Sequence, residues 1–186
     1  MQRLFASDLH IGDGFFNDNF SLDEEFSSML ELISSTGKAA ELVLLGDIFE
    51  LLESKMVRDM GLCTFEEVCE GIDAGVIDQI FARHSKVCFS LKKFLRTNRI
   101  IYVVGNHDYY FLTRKDLRDR VNEYLSEGEG ISFVPYFYDR HWGVFGYHGS
   151  NFDVSNRFGK EKKTGHLIPP IGDYMARYMM IHFRER

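Results

Sequence analysis

Apolar residues fall in short blocks near the start of the chain. Three such runs, Arg3 to Ala6, Leu42 to Leu45 and Ile100 to Val104, each lead directly into polar residues: Ser7-Asp8-Leu9-His10, Gly46-Asp47 and Gly105-Asn106-His107-Asp108. Short apolar runs bounded by Gly and Asp predict buried strands. Polar groups just past strand C-termini are where open α/β sheets place ligands. Helices are predicted between them. Ser21-Leu22-Asp23-Glu24 has a capping-box pattern, and Phe26, Met29, Leu30 and Ile33 follow at helical spacing. Thr64-Phe65-Glu66-Glu67 is a second capping box. Ile77, Ile80, Phe81, Val87, Phe89, Leu91 and Phe94 predict one long helix from Ala74 to Leu95, and Asp116 is placed as the cap of another helix ending near Tyr124. The period then shortens. Ile131 to Tyr138 and Trp142 to Tyr147 predict two strands around a turn at Asp139-Arg140-His141, ending at His148-Gly149. Residues 150–165 are polar and basic and read as a loop. Pro169 opens a last helix carrying Tyr174, Met175, Tyr178, Met179 and Phe183.

Composition narrows the class. A chain of 186 residues that is 45% hydrophobic has enough apolar matter for one compact domain. A formal charge of −6 gives no global field for nucleic acid or an anionic membrane. Three cysteines, with no CxxC, suggest neither a disulfide framework nor a zinc knuckle, so free thiols in a reducing compartment are expected. The start MQRLFASDLH lacks a signal-peptide layout, and no apolar run reaches the roughly 20 residues of a transmembrane helix. A soluble, cytoplasmic protein is expected; peripheral membrane contact and oligomeric state stay open.

The predicted strand ends carry Asp8 and His10, Asp47, Asn106 and His107, and His148. Asp8 and His10 are two apart, so in an extended segment both side chains point the same way. Carboxylate beside imidazole is half of a divalent-metal site. Asp47 adds a second carboxylate able to bridge two ions, Asn106 an amide oxygen, and His148 another imidazole. This mixed nitrogen and oxygen set suits manganese, with iron or zinc as alternatives, over calcium or copper(I). Each piece alone is common in turns. The ordered series, each member at a strand end, is far more specific.

That series, Asp8-x-His10, Gly46-Asp47, Gly105-Asn106-His107-Asp108 and His148-Gly149, resembles the signature of the calcineurin-like metallophosphoesterase family. The resemblance implies an α/β (α+β) fold, a sandwich of two mixed β-sheets flanked by helices with a two-metal site at the strand ends. It implies that Asp8 and His10 bind a first metal, that Asp47 bridges both, and that Asn106 and His148 bind the second. His107 would be the general acid protonating the leaving oxygen, and Asp108 would orient it by accepting its ring proton. Two cations acidify a bridging water whose hydroxide attacks phosphorus, and an alkoxide leaving group needs a proton from a positioned imidazole. Gly46-Asp47-Ile48-Phe49-Glu50 and the Asp8-Leu9-His10 start are also similar to the UDP-2,3-diacylglucosamine pyrophosphohydrolase branch, which usually carries Arg where His107 stands.

The family's closing Gly-His-x-His is missing. Gly165-His166-Leu167-Ile168 has only its first half, and His182 falls in the last predicted helix. The expectation is a single domain over 1–186 lacking the last strands, with 150–186 as the start of a cap and His166 as a candidate stand-in ligand. His84 and His141 read as solvent-facing. Phe15 and Phe16 read as packing residues with a pocket role as the alternative, while Tyr109 and Tyr110 divide evenly between packing and flanking the substrate. Asn151 and Arg157 are candidates to contact phosphate, against a plain polar loop with Asp153 and Asn156; Lys160, Lys162 and Lys163 read as a solvated run. Three functions follow. The first is a dinuclear phosphoesterase acting on a phosphorylated small molecule or nucleotide-type monoester, diester or pyrophosphate. The second is a degenerate relative that binds a phosphorylated ligand or partner without turnover. The third is a nuclease-type subunit, against which the acidic balance counts.

Overall fold

A computed structural model of the chain describes residues 2–15, 20–126, 130–165 and 167–183. Four strands, β1 (Gln2–Ala6), β2 (Ala40–Leu45), β3 (Arg99–Val103) and β4 (Ser132–Val134), form a parallel sheet in the order β1-β2-β3-β4. Helices bridge consecutive strands: α1 (Asp23–Ser35), then α2 (Lys55–Asp59), α3 (Phe65–Gly71), α4 (Gly75–Arg83) and α5 (Ser85–Leu95), then α6 (Tyr110–Thr113) and α7 (Lys115–Leu125). Parallel pairing forces such crossovers, and it leaves every strand C-terminus at one end of the sheet.

Alternation along the strands sorts side chains to two faces. Leu42, Leu44, Ile100 and Tyr102 join the main core with Phe26, Leu30, Ile80, Leu91, Leu117 and Val121 of the helices. Val43 and Val103 face the other way and meet Phe137. Phe137 belongs to a hairpin of β5 (Phe137–Asp139) and β6 (Val144–Gly146), the only cover over that second face among the described residues. Arg3 ties this layer to the sheet through Glu41 at 2.6 Å and Asp139 at 2.7 Å. The chain continues through a 3-10 turn at Ser150–Phe152, a short pair of β7 (Gly159–Lys160) with β8 (Leu167–Ile168), and α8 (Ile171–His182). No helix among the described residues is long and apolar enough to cross a membrane. Cys63, Cys69 and Cys88 are free.

The α/β class follows expectation, as does the Thr64 capping box, with both reciprocal bonds present; the main sheet is parallel throughout, where mixed sheets were expected, and the antiparallel pairs stand apart from it. Several boundaries differ. The single helix over 74–95 breaks at His84 (φ −106°, ψ 47°), which ends α4 and starts α5. His84 is buried rather than solvent-facing: its ring packs on Phe20 and its Nδ1 meets the Asp23 carboxylate at 3.0 Å. That pairing satisfies the polar atoms an inward turn would otherwise strand. Leu22, not Ser21, precedes α1, and no side chain caps it. Arg114 precedes α7, with Asp116 inside the first turn and paired to it. Ile131 to Tyr138 is two strands, because Pro135 cannot donate to a ladder; β4 completes the parallel sheet while β5 turns to pair with β6. The polar stretch 150–165 is not all loop, since Gly159 and Lys160 pair with Ile168 and Leu167. His141 is exposed as expected.

Candidate metal centre

Three strand-end loops meet at the C-terminal edge of the sheet. The loop after β1 runs beside the loop after β2: Asp8 N–H donates to Gly46 O at 3.1 Å, His10 N–H to Asp47 O at 3.0 Å, Ile11 N–H to Ile48 O at 2.8 Å, and Glu50 N–H to Ile11 O at 3.0 Å. The loop after β3 joins through His107 N–H, which donates to Asp47 Oδ1 at 2.9 Å. His148 arrives from the end of β6. It is admitted by Gly46, where a Cβ would stand 2.5 Å from the imidazole.

Asp8, His10 and Asp47 have φ of 55°, 48° and 53°, the only non-glycine residues in the left-handed region among those described. The expectation that Asp8 and His10 converge by lying in an extended segment is therefore corrected: they converge because both backbones turn left-handed. Each such residue costs about 1–3 kcal/mol and persists only where the surroundings enforce it. All three are predicted metal ligands. One ligand atom from each lies within 4.8 Å of the others. Donors bonded to one ion at about 2.0–2.2 Å lie up to roughly 4 Å apart, so a small closure suffices.

The second half forms around His148. Its Nδ1 donates to Leu45 O at 2.9 Å. That leaves Nε2 facing two oxygens, Asn106 Oδ1 at 3.1 Å and Asp47 Oδ2 at 3.2 Å. Three electron-rich atoms pointed at one another need a proton or a cation between them. In the metal-free protein a proton serves. Burial disfavours the cationic ring, but the bond to Asp47 outweighs it and raises His148 to about 9. The Asp47 carboxyl is held below its ordinary value, its burial offset by His148. Asp47 Oδ2 also lies 4.0 Å from His10 Nε2, so this one carboxylate stands between both halves. The set Asp8, His10, Asp47, Asn106 and His148 thus fits two divalent cations sharing Asp47, of the manganese, iron or zinc type.

Asp108 does not take its expected place. It is fully buried and accepts from Gly105 N–H at 2.6 Å, Ile48 N–H at 3.0 Å and the Tyr102 hydroxyl at 2.5 Å. Burial, with the nearby Asp47 charge, raises its carboxyl to about 7. It pins the two loops and leaves the His107 ring alone. Glu50 partners that ring instead: its carboxylate meets His107 Nδ1 at 2.8 Å and His10 Nδ1 at 2.6 Å. Both rings then donate from Nδ1, which frees both Nε2 atoms. Burial opposes the His107 cation, yet Glu50 prevails and raises it to about 9. His10 is raised mainly by its Glu50 bond, and Glu50 is held low by both rings despite its burial. The sequence signal for Glu50 is its place three residues after Asp47, in the Gly46–Glu50 stretch.

A cavity of about 450 Å³ opens over the centre, lined by Asp8, His10, Glu50, His107, Phe20 and Leu22. A larger one, about 710 Å³, lies at the opposite end of the sheet around Arg99 and Ser132 and touches none of the candidate ligands. Asn151 is exposed and lines a third cavity beside Gly105, whereas Arg157 is exposed and lines neither cavity at the centre. Tyr110 is core and Tyr109 half-buried. Phe15 lies under Arg58, 4.7 Å from the guanidinium. His166 and Phe16 lie outside the described residues. His182 ends α8 with its ring against Tyr178. Compared with known proteins, the chain matches no family, no curated protein and no solved structure.

Proposed function

We propose that the protein is a metal-dependent phosphoester hydrolase of calcineurin-like type. The observation that carries this is the single buried carboxylate, Asp47, shared between Asp8 and His10 on one side and Asn106 and His148 on the other, beside the His107 imidazole whose Nδ1 meets the buried Glu50 carboxylate. Two divalent cations held there would supply Lewis-acid stabilisation of phosphoryl oxygens and acidify a water. The chain's own residues do the rest. The open cavity admits an ester to the donor cluster. Glu50 fixes the His107 tautomer, so that Nε2–H is the proton on offer. As the P–O bond breaks, that proton passes to the leaving oxygen, and the neutral ring recovers one from solvent. Asp108 and Tyr102 keep the loops carrying Asp47 and His107 in register.

The fit extends to a sandwich reading of the fold, in which the β5–β6 hairpin begins the second layer. The test is hydrolysis of a chromogenic phosphodiester and monoester with Mn²⁺, beside Asp47→Ala. Manganese-dependent turnover abolished by the substitution supports the proposal. Binding of a phosphorylated ligand without turnover by any metal would replace it with the non-catalytic reading.

A further inference from the structure

A cavity of about 240 Å³ adjoins the centre, walled by Gly105, Tyr109, Tyr147 and Phe158, with Asn151 and Lys160 at its polar side. Gly105 is the shared partition: a Cβ there would collide with the Asp47 carboxylate, so cavity and ligand are one residue apart. Its aromatic wall is braced. Phe158 stacks on Tyr109 with ring centroids 4.1 Å apart at 24°, and it is backed by Phe65 at 5.7 Å. Tyr147 immediately precedes His148, so a wall of the cavity and a candidate ligand share one backbone segment. Flat aromatic walls with few polar groups take planar rings, and Lys160 suits an anionic ester. With the larger cavity at His107, the centre has room for a substituent on each side of a phosphoryl group. A monoester has only one.

Resting on the hydrolase reading above, we propose that this cavity is a subsite for an aromatic ring on the non-leaving oxygen of a phosphodiester. The leaving alcohol then occupies the cavity at His107. The ring is an aryl group or a nucleobase, which share the stacking face; a base would also use Asn151.

The test compares three esters with one leaving group, methyl, phenyl and thymidine-5′ p-nitrophenyl phosphate, with Mn²⁺. The phenyl ester should exceed the methyl ester in kcat/KM by about tenfold, as stacking one ring implies. That ratio should fall towards one in Phe158→Ala. A thymidine preference lost in Asn151→Ala would identify a nucleobase; indifference to Asn151 would identify an aryl group. Equal rates for methyl and phenyl esters would overturn the subsite and leave the hydrolase standing. If no ester turns over, equilibrium dialysis of methyl phenyl phosphate against dimethyl phosphate decides the subsite alone: equal binding overturns it, and tighter aryl binding lost in Phe158→Ala sustains it. Circular dichroism of each variant checks that folding is intact.

Discussion

Replacing Glu50 with Gln tests the centre at its least obvious residue. The Glu50 carboxylate, in a residue 4% exposed, accepts from His10 and His107 at 2.6 and 2.8 Å. Gln keeps the shape but offers one oxygen and one NH₂. Its oxygen can take the place of Oε2, which accepts from both rings, but its NH₂ then faces the Glu53 N–H that Oε1 accepts, so the neutral side chain holds both rings less firmly. The charge that raises His107 to about 9 also disappears. In the absence of metal, a ring returned to its ordinary value of about 6.5 is about 9% protonated at pH 7.5, against about 97% for one near 9. That is roughly tenfold from protonation alone. Loosening the ring removes part of the 10²–10⁴ that a positioned acid contributes. The expected loss in kcat is therefore about 10²–10³ for an alkyl leaving group, which needs the proton. It should be about tenfold or less for p-nitrophenolate, which leaves readily without it. The assay is kcat at saturating Mn²⁺ for alkyl and p-nitrophenyl diesters, with the pH profile of each. Equal losses on both leaving groups would refute the acid role and reduce Glu50 to a tether of His10.

Metal binding should release protons, because His148 must be neutral to ligate while the metal-free ring titrates near 9. Apparent Mn²⁺ affinity should rise about tenfold per pH unit from pH 7 to 9 and then level, read by calorimetry in buffers of differing ionisation heat. The same raised value stabilises the metal-free fold fully below pH 6.5, and that contribution fades as pH climbs to 9, so its Tm should fall over that window. Arg177, 2% exposed, pairs with Asp173 at 2.8 Å and donates to Cys63 O at 2.9 Å. Arg177→Ala should cost about 3–5 kcal/mol in urea unfolding, and Asp173→Leu/Arg177→Met markedly less, since the double change leaves no buried charge. Asp8→Gly relieves a left-handed residue at φ 55°. Its metal-free Tm should hold or rise by about 2–3 °C while the Mn²⁺-induced rise is lost; a Tm drop of similar size would mean that Asp8 is structural.

Local pattern made the strands legible. Arg3 to Ala6, Leu42 to Leu45 and Ile100 to Val104 sit within two residues of β1, β2 and β3, because buried parallel strands read as unbroken apolar runs. The strand-end polar residues were legible for the same reason, since topology carries each of them to one edge. What failed depended on contacts distant in sequence. His84 looked solvated beside Arg83 and Lys86, but its partner, Asp23, is 61 residues away. Asp108 follows His107 directly, so adjacency suggested a pair. Yet consecutive residues point apart, and Asp108 turns into the core to meet Tyr102 while Glu50 reaches the imidazole across 57 positions. Glu50 was in view within the Gly46–Glu50 stretch, but no periodicity distinguishes a carboxylate aimed at a ring from one capping a turn, and it does both, accepting from Glu53 N–H at 2.9 Å.

Backbone strain bears on the choice between a hydrolase and a non-catalytic relative. Asp8, His10 and Asp47 together hold about 3–9 kcal/mol of left-handed conformation, comparable to the net stability of a domain. A scaffold that binds a partner elsewhere gains nothing from keeping non-glycine residues there; glycine at any of the three would relieve the strain. The electrostatics add to it: Asp47 is buried with Asp108 nearby, and burial, together with that repulsion, raises the Asp108 carboxyl. Both costs become useful only when cations sit among these oxygens. Cations held there would neutralise the carboxylates, displace the His148 proton and turn strained convergence into preorganised coordination. The arrangement therefore favours a centre built to hold metal, with the Glu50–His107 pair beside it arguing further for proton transfer than for binding alone.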